Sequence, residues 1–141
     1  MVKTRVIPCL LLKGAGLVKT VRFADPKYVG DPINAVRIFN DKEVDELIVL
    51  DITAWGEHKE PPFSTIEDIA SECFMPVAYG GGITSVAQAR RLVASGIEKI
   101  ILNTAALHTP ALVSELSAQI GASSTVVAID VKKDLFGRHR V

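Results

Sequence analysis

Cysteine is scarce in this sequence: the 141 residues include only Cys9 and Cys73, which are too few for a disulfide framework. Both lie among apolar residues, so we expect free, buried thiols. Long apolar runs are also missing, since none approaches the roughly 20 residues that span a bilayer. No small-residue cleavage site of a signal peptide follows the apolar stretch at residues 6–12. We therefore expect a cytoplasmic protein with no membrane contact.

Neither sign of charge is in excess, because Lys plus Arg and Asp plus Glu number 16 each. A chain of this balance gives no electrostatic reason to expect nucleic acid or an anionic membrane as a partner. The three histidines, His58, His108 and His139, are not spaced as metal ligands, and a zinc site needs about four clustered ligands. We expect neither a metal nor a cofactor.

Short apolar runs alternate with amphipathic segments along the whole chain. The predicted strands are residues 6–12, 46–52, 75–79, 99–103 and 125–130. Four helices are predicted between them, opened by the cap residues Asp31, Ser64, Thr84 or Ser85, and Thr109. This alternation is typical of an α/β fold with a parallel sheet. No linker or low-complexity tract interrupts it, so residues 1–141 form one predicted domain, with a short polar tail at 132–141.

Polar residues and glycines come directly after four of the predicted strands. They are Asp51, the glycines at 80–82, Asn103 with Thr104, and Asp130. In (β/α)8 barrels and in open α/β sheets alike, ligands bind at the carboxyl ends of the strands. We therefore predict a single ligand site where these four strand ends meet.

The glycine run at residues 80–82 indicates a phosphate site. Glycines let an anion approach backbone N–H groups closely, and the helix predicted to follow would favour its charge. Gly81 and Gly82 are the predicted main-chain donors, and Asn103 and Thr104 would add an amide and a hydroxyl. The alternative is that the glycines only form a tight turn.

Asp51 and Asp130 are candidate acids for proton transfer. A carboxylate at the end of a buried strand is partly desolvated and suited to general acid–base chemistry. The alternative for each is a structural carboxylate that caps the loop after its strand. Their pairing around one rim favours the catalytic interpretation.

The motifs at residues 5–10, 45–54, 80–83, 103–106 and 126–130 together resemble the cyclase subunit of imidazole glycerol phosphate synthase. That family is a (β/α)8 barrel of about 250 residues. It takes ammonia from a partner glutaminase and uses it to cleave and cyclise a bisphosphorylated ribonucleotide. The resemblance implies that this chain is the N-terminal half of such a barrel, with five parallel strands and four helices.

The resemblance also implies roles for residues at the catalytic rim. Gly82, Asn103 and Thr104 match one of two phosphate sites, and Asp130 matches a catalytic acid. Lys19 matches a lysine of the mobile first loop, and Asp51 matches a carboxylate of the substrate cleft.

At the opposite end of the barrel, the resemblance implies an ammonia gate. Arg5, Glu46 and Lys99 match three of the four charged residues that ring the base, where ammonia enters from the glutaminase. All three lie at predicted strand starts. A glutaminase partner at this face is therefore expected.

Leu11 departs from the family pattern, which has a second catalytic aspartate at this position. A leucine neither accepts nor donates a proton, and losing one member of an acid–base pair typically removes ~10²–10⁴-fold of rate. The sequence around Leu11 resembles that of a paralogous branch of the family, which is linked to the synthesis of acetamidino sugars for surface polysaccharides. We expect an ammonia-using synthase subunit of that branch. The alternatives are the histidine-pathway cyclase and a non-catalytic half-barrel that binds phosphate.

The second departure is length, because strands six to eight of the family are absent here. Five strands cannot close an eight-stranded barrel, and bare apolar edges at strands one and five would favour self-association. We expect a homo-oligomer if the chain is complete. A flavodoxin-like open sheet also fits the element count, but the glycine run follows strand three rather than strand one.

Overall fold

A computed structural model describes residues 3–141 and contains a seven-stranded sheet and a separate two-stranded hairpin. The strands are β1 (Cys9–Lys13), β2 (Gly16–Val21), β3 (Ala24–Gly30), β4 (Leu47–Asp51), β5 (Val77–Gly80), β6 (Lys99–Leu102), β7 (Thr125–Val127), β8 (Lys132–Lys133) and β9 (His139–Arg140). The helices are α1 (Pro32–Asp41), α2 (Phe63–Glu72), α3 (Val86–Ala94), α4 (Thr104–His108) and α5 (Ala111–Ile120). A 3-10 turn at Ala122–Ser124 leads into β7.

The order of the strands identifies the architecture. The sheet runs β3-β2-β1-β4-β5-β6-β7, and within it β1, β4, β5, β6 and β7 lie side by side in that order, each parallel to the next. A flavodoxin-like sheet reverses direction after its first strand, in the order 2-1-3-4-5. The parallel strands here never reverse, as in a (β/α)8 barrel. The predicted fold, five parallel strands from the first half of such a barrel, is confirmed.

Two of the predicted helix caps are present as side-chain hydrogen bonds. The Asp31 carboxylate accepts from the N–H of Asn34 at 3.0 Å, with Pro32 in the first turn of α1. The Ser85 hydroxyl accepts from the N–H of Gln88 at 3.3 Å and so begins α3. The prediction that Ser64 caps α2 is wrong, because that helix already begins at Phe63, preceded by Pro62 without a side-chain cap.

The core lies between the sheet and the helices. Alternate residues of each strand point into it, among them Leu47, Val49, Tyr79 and Leu102, and all four are almost completely buried. The other alternate residues face the concave side of the sheet, which is the interior of a closed barrel. This arrangement separates the residues that stabilise the sheet from those available to a ligand.

The structure corrects the region after the first strand, where we expected only a loop. β2 and β3 form an antiparallel hairpin beside β1. Its turn is made by Arg22 and Phe23, which both have positive φ, of 52° and 62°. A two-residue turn with positive φ at both positions matches the twist of the flanking strands, but the usual sequence of such a turn is Asn-Gly. Because the hairpin covers β1, the prediction that strand one is a bare edge is wrong.

Other expectations also need correction. β1 begins at Cys9 rather than at residue 6, and the carbonyl of the preceding Pro8 accepts from the N–H of Ile48. β7 ends at Val127 rather than at residue 130. A fifth helix, α4, lies in the loop before the helix that we predicted from Thr109. The tail folds as β8 and β9. Cys9 is exposed rather than buried, and Cys73 is half-buried.

No helix within residues 3–141 is long and apolar enough to cross a membrane.

Candidate substrate and phosphate site

A cavity of about 410 Å³ opens at the carboxyl ends of β4 to β7. Six of the residues that we predicted for substrate binding or catalysis line it: Asp51, Gly81, Gly82, Asn103, Thr104 and Asp130. A cavity of this size suits a small-molecule ligand. The sheet brings these residues together, because its parallel strands follow one another without reversal and all end at the same rim.

Lys19 is not brought to this cavity. It lies exposed on β2, and the neighbouring Thr20 lines the cavity in its place, together with Phe23 at the tip of the hairpin. Successive strand residues point to opposite faces, so a hairpin that presents Thr20 to the cavity turns Lys19 away.

The glycines after β5 pack tightly against the loop after β4. A Cβ atom on Gly81 would lie 2.7 Å from the Cβ of Asp51, and one on Gly82 would lie 2.5 Å from the carbonyl oxygen of Lys59. Both glycines have positive φ, of 131° and 67°. Packing alone therefore requires glycine here, as the tight-turn alternative states.

The same segment also presents unused hydrogen-bond donors. Within residues 3–141, the N–H groups of Gly81, Gly82 and Thr104 donate to no other protein group. α3 begins only at Val86, and the N–H of Thr84 is taken by the Gln88 side chain at 2.8 Å. An anion at these groups would thus be held by the loop, and the helix predicted to follow is capped by Ser85, three residues after Gly82.

Asp51 has a structural role in this conformation. Its Oδ1 accepts from the N–H of Thr53 at 2.8 Å, from the Thr53 hydroxyl at 3.0 Å and from the N–H of Ala54 at 3.0 Å. These bonds form the turn against which Gly81 and Gly82 pack. The contacts of Asp51 are therefore those of a structural carboxylate that caps the loop after its strand, which was the alternative to a catalytic acid. Asp51 also lines the cavity.

Asp130 is held at the rim by a neighbouring strand end. The Asn103 side-chain amide donates to its Oδ2 at 2.6 Å. This bond uses one of the two amide hydrogens of Asn103 and leaves the other for a ligand. Leu11 lines the same cavity, so an apolar group stands where the resemblance leads us to expect a second acid.

An aromatic side chain at one side of the cavity is supported by a second ring. Trp55 lines it and stacks on His108, with ring centroids 5.7 Å apart and planes inclined by 20°. The pair joins the loop after β4 to the end of α4.

Tyr79 supports the glycine loop from the core, and we did not single it out in the sequence. Its ring is fully buried, and its hydroxyl donates to the carbonyl oxygen of Gly81 at 3.1 Å. Burial, and to a lesser extent the negative charge of Asp51, raises the pKa of Tyr79. The available signal was a hydroxyl in an otherwise apolar strand, since a buried tyrosine usually finds a hydrogen-bond partner.

At the other end of the sheet, the three predicted gate residues form one cluster. The Glu46 carboxylate is buried and pairs with Arg5 Nη2 at 2.9 Å and with Lys99 Nζ at 2.6 Å. A buried carboxylate needs such partners to offset its desolvation. Glu46 precedes β4 and Lys99 begins β6, so the cluster lies opposite the cavity.

Residues 5–141 match the sequence model of the family described as "Histidine biosynthesis protein". The chain belongs to this histidine biosynthesis protein family.

Three named relatives are similar to this chain in sequence, each with more than half of the aligned residues identical. A Pseudomonas aeruginosa protein, provisionally named imidazole glycerol phosphate synthase subunit hisF2, is 54% identical over all of this chain and 56% of its own length. A similarly named subunit of Leptospira borgpetersenii is 51% identical over 98% of this chain and 54% of its own. The hisF3 subunit of Vibrio vulnificus is 53% identical over 97% and 53%.

These relatives confirm the resemblance to the synthase subunit that the motifs indicate. None of their names mentions a sugar or a polysaccharide. The chain spans about half the length of the curated relatives it matches.

Proposed function

We propose that this chain is the substrate-binding first half of a cyclase-type subunit of imidazole glycerol phosphate synthase, and that its cavity binds one phosphate group of the substrate. The observation that carries the proposal is the set of unused N–H groups at Gly81, Gly82 and Thr104 in one cavity. The names of the relatives support the class of enzyme.

The proposed phosphate site consists of neutral donors. Backbone N–H groups arranged around a concave loop bind anions, and they keep their protons at every working pH. The Thr104 hydroxyl and the second amide hydrogen of Asn103 add further donors. Binding would therefore depend on geometry more than on the ionisation of a side chain.

Asp130 is the proposed acid–base group. Its bond to Asn103 fixes the carboxylate next to the proposed phosphate donors. A substrate anchored by its phosphate would then present its reacting atoms to Asp130 in a restricted range of orientations, which lowers the entropic part of the barrier.

The cluster of Arg5, Glu46 and Lys99 is the proposed entry for ammonia from a glutaminase. The ion pairs close the amino end of the sheet in this conformation. Exchanging one of these ion pairs for a contact with the partner would open a passage. Ammonia is neutral and small, so a narrow passage would be enough for it. The partner is inferred from the resemblance and from the word "subunit" in the names of the relatives.

A second candidate function has one specific observation in its favour. Leu11 lines the cavity, and a leucine cannot share proton transfer with Asp130. A related ammonia-using synthase, acting in acetamidino-sugar synthesis on a phosphorylated or nucleotide-linked substrate, would need a different arrangement of acids. Turnover of each substrate class by the full-length protein with ammonium salt separates the two candidates.

Phosphate binding by the chain itself is tested by titrating inorganic phosphate into the 15N-labelled protein, with chloride of equal ionic strength as the control. We expect the amides of Gly81, Gly82 and Thr104 to shift first. The basic β8–β9 hairpin, which carries Lys132, Lys133, Arg138 and Arg140, is the natural competing site. Shifts confined to that hairpin would overturn the proposed function.

We also propose that the isolated chain self-associates through β7. This strand is an edge of the sheet, and Val127 and Ile129 are 42% and 62% exposed beside it. Unpaired edges with apolar neighbours favour pairing with another chain. Sedimentation equilibrium should show a dimer or larger species that Val127→Lys dissociates, and a stable monomer at micromolar concentration would contradict the idea.

A further inference from the structure

Tyr79 contacts the glycine loop in a way that determines the direction of one peptide group. Tyr79 is the residue of β5 that points into the core, and its hydroxyl reaches past Gly80 to the carbonyl oxygen of Gly81 at 3.1 Å. The Gly81 carbonyl is therefore directed towards the layer between the sheet and the helices.

The opposite side of that peptide group carries the N–H of Gly82. In a planar trans peptide the C=O and N–H bonds point in opposite directions, and no cis peptide occurs within residues 3–141. The N–H of Gly82 is thus directed away from Tyr79. Gly82 lines the cavity, whereas Tyr79 does not.

A peptide between two glycines has little intrinsic preference for one orientation. Without a Cβ atom, glycine populates positive and negative φ about equally, and rotation of the adjoining ψ and φ would turn the N–H of Gly82 out of the cavity. The hydroxyl of Tyr79 holds the carbonyl from a fully buried ring, whose own position is fixed by the core.

We propose that Tyr79 is a positioning residue: its hydroxyl holds the Gly81–Gly82 peptide so that the N–H of Gly82 faces the cavity and binds the substrate phosphate. This inference rests on the proposed function, because it assigns a support to the same anion site. A purely structural hydroxyl would satisfy the Gly81 carbonyl and have no effect on anion affinity.

Two physical properties support the assignment. Because burial raises the pKa of Tyr79, the hydroxyl remains a donor across the range in which proteins fold. Hydrogen bonds on the two sides of one peptide also polarise each other, so a bond from Tyr79 to the carbonyl strengthens the N–H of Gly82 as a donor.

The test compares Tyr79→Phe with Tyr28→Phe, which removes the hydroxyl of the exposed tyrosine on β3. Inorganic phosphate is titrated into each 15N-labelled chain. Since one neutral hydrogen bond is at stake, we expect Tyr79→Phe to weaken phosphate affinity by about three- to tenfold. The phosphate-induced shift at Gly82 should shrink, while that at Thr104 persists at saturation. Tyr28→Phe should match the wild type.

Each outcome decides a different point. If the wild type binds phosphate and Tyr79→Phe binds it equally well, with an unchanged Gly82 shift, the positioning role is wrong and the proposed function stands. If the wild-type amides of Gly81, Gly82 and Thr104 do not respond at all, the proposed function and this inference both fail.

Should Tyr79→Phe not fold, the wild-type chain supplies a second measurement. Phosphate on the N–H of Gly82 polarises the whole peptide, so the carbonyl carbon of Gly81 and the hydroxyl proton of Tyr79 should shift together during the titration. A response at Gly82 without one at either atom would overturn the inference.

Discussion

The two ends of the parallel sheet are built from different kinds of groups. At the amino ends of the strands, a buried carboxylate is neutralised by two cationic side chains. At the carboxyl ends, the N–H groups of Gly81, Gly82 and Thr104 donate to no other group within residues 3–141, and Asp130 is exposed at the rim. The first end carries charges that compensate one another, and the second carries hydrogen-bond donors that no group within residues 3–141 uses. A change of charge should therefore act mainly at the amino end, and a change of backbone shape mainly at the carboxyl end.

The largest expected effect is at the amino end. Lys99→Met removes one partner of the buried Glu46, and breaking such a pair typically costs about 3–5 kcal/mol; the remaining Arg5 should hold the loss in the free energy of unfolding near the lower value. The control is Arg37→Met, because the Arg37–Glu72 pair is 3.5 Å long and exposed on both sides. That loss should stay below about 1 kcal/mol. Urea unfolding measures both, and equal losses would show that the burial of Glu46 adds nothing to the strength of its ion pairs.

At the carboxyl end, Gly82→Ala should be the next most damaging change. A left-handed conformation costs a non-glycine residue about 1–2 kcal/mol, and crowding in a packed site adds about 1–3 kcal/mol. Gly14→Ala is the matched control, since Gly14 also has a left-handed φ, of 59°, but open space around its Cβ position. Thermal unfolding should show a clearly lower Tm for Gly82→Ala. If the two variants are equal, the close approach to Lys59 does not restrict position 82.

A smaller effect is expected from Leu11→Asp in the full-length protein supplied with ammonium salt. A second acid in the cavity should raise formation of imidazole glycerol phosphate, by less than ~10²-fold. Leu50 and Ile101 line the cavity with it, and an apolar setting would raise the pKa of the new carboxyl and reduce its use as a base. Steady-state turnover decides the matter. Efficient cyclisation by the unchanged protein, not exceeded by the variant, would show that Leu11 is no obstacle.

The smallest effect concerns the β8–β9 hairpin that follows the rim. The backbone N–H of Arg138, followed by weaker contributions from Arg140, Phe136 and the Arg138 side chain, lowers the pKa of Asp134. A lowered pKa means that Asp134 stabilises the hairpin above about pH 4, and that this contribution is lost as the pH falls through the folded value. Amide shifts of residues 132–140 between pH 6 and pH 2 should report local opening before the sheet unfolds. In Asp134→Asn the hairpin should already be loosened at pH 6, and a hairpin unaffected by either change would contradict the assignment.

The sequence predicted those parts of the molecule that a simple period or a cap residue encodes. Apolar runs marked the parallel strands, Asp31 and Ser85 marked helix starts, and the residues after the strands marked the rim of the cavity. It missed α4, which at five residues is too short to show a helical period. It also missed the β2–β3 hairpin, because Arg22 and Phe23 adopt positive φ without the residues that usually signal it.

Details of the site depended on contacts between distant residues. Asp51 was interpreted as a candidate acid, and only the structure assigns its Oδ1 to Thr53 and Ala54. The roles of the glycines in packing depend on Lys59 and Asp51, which lie on another loop. Such tertiary pairings leave no local pattern in the chain.

The stacked pair of Trp55 and His108 has a practical consequence. Trp55 is the only tryptophan of this sequence and lies at the cavity, so the tryptophan fluorescence of the chain arises from a single indole beside the proposed ligand. Occupancy of the cavity, or separation of the loop after β4 from α4, changes the surroundings of that one fluorophore. Emission wavelength and quenching therefore give a label-free optical signal for ligand titrations and rapid-mixing kinetics.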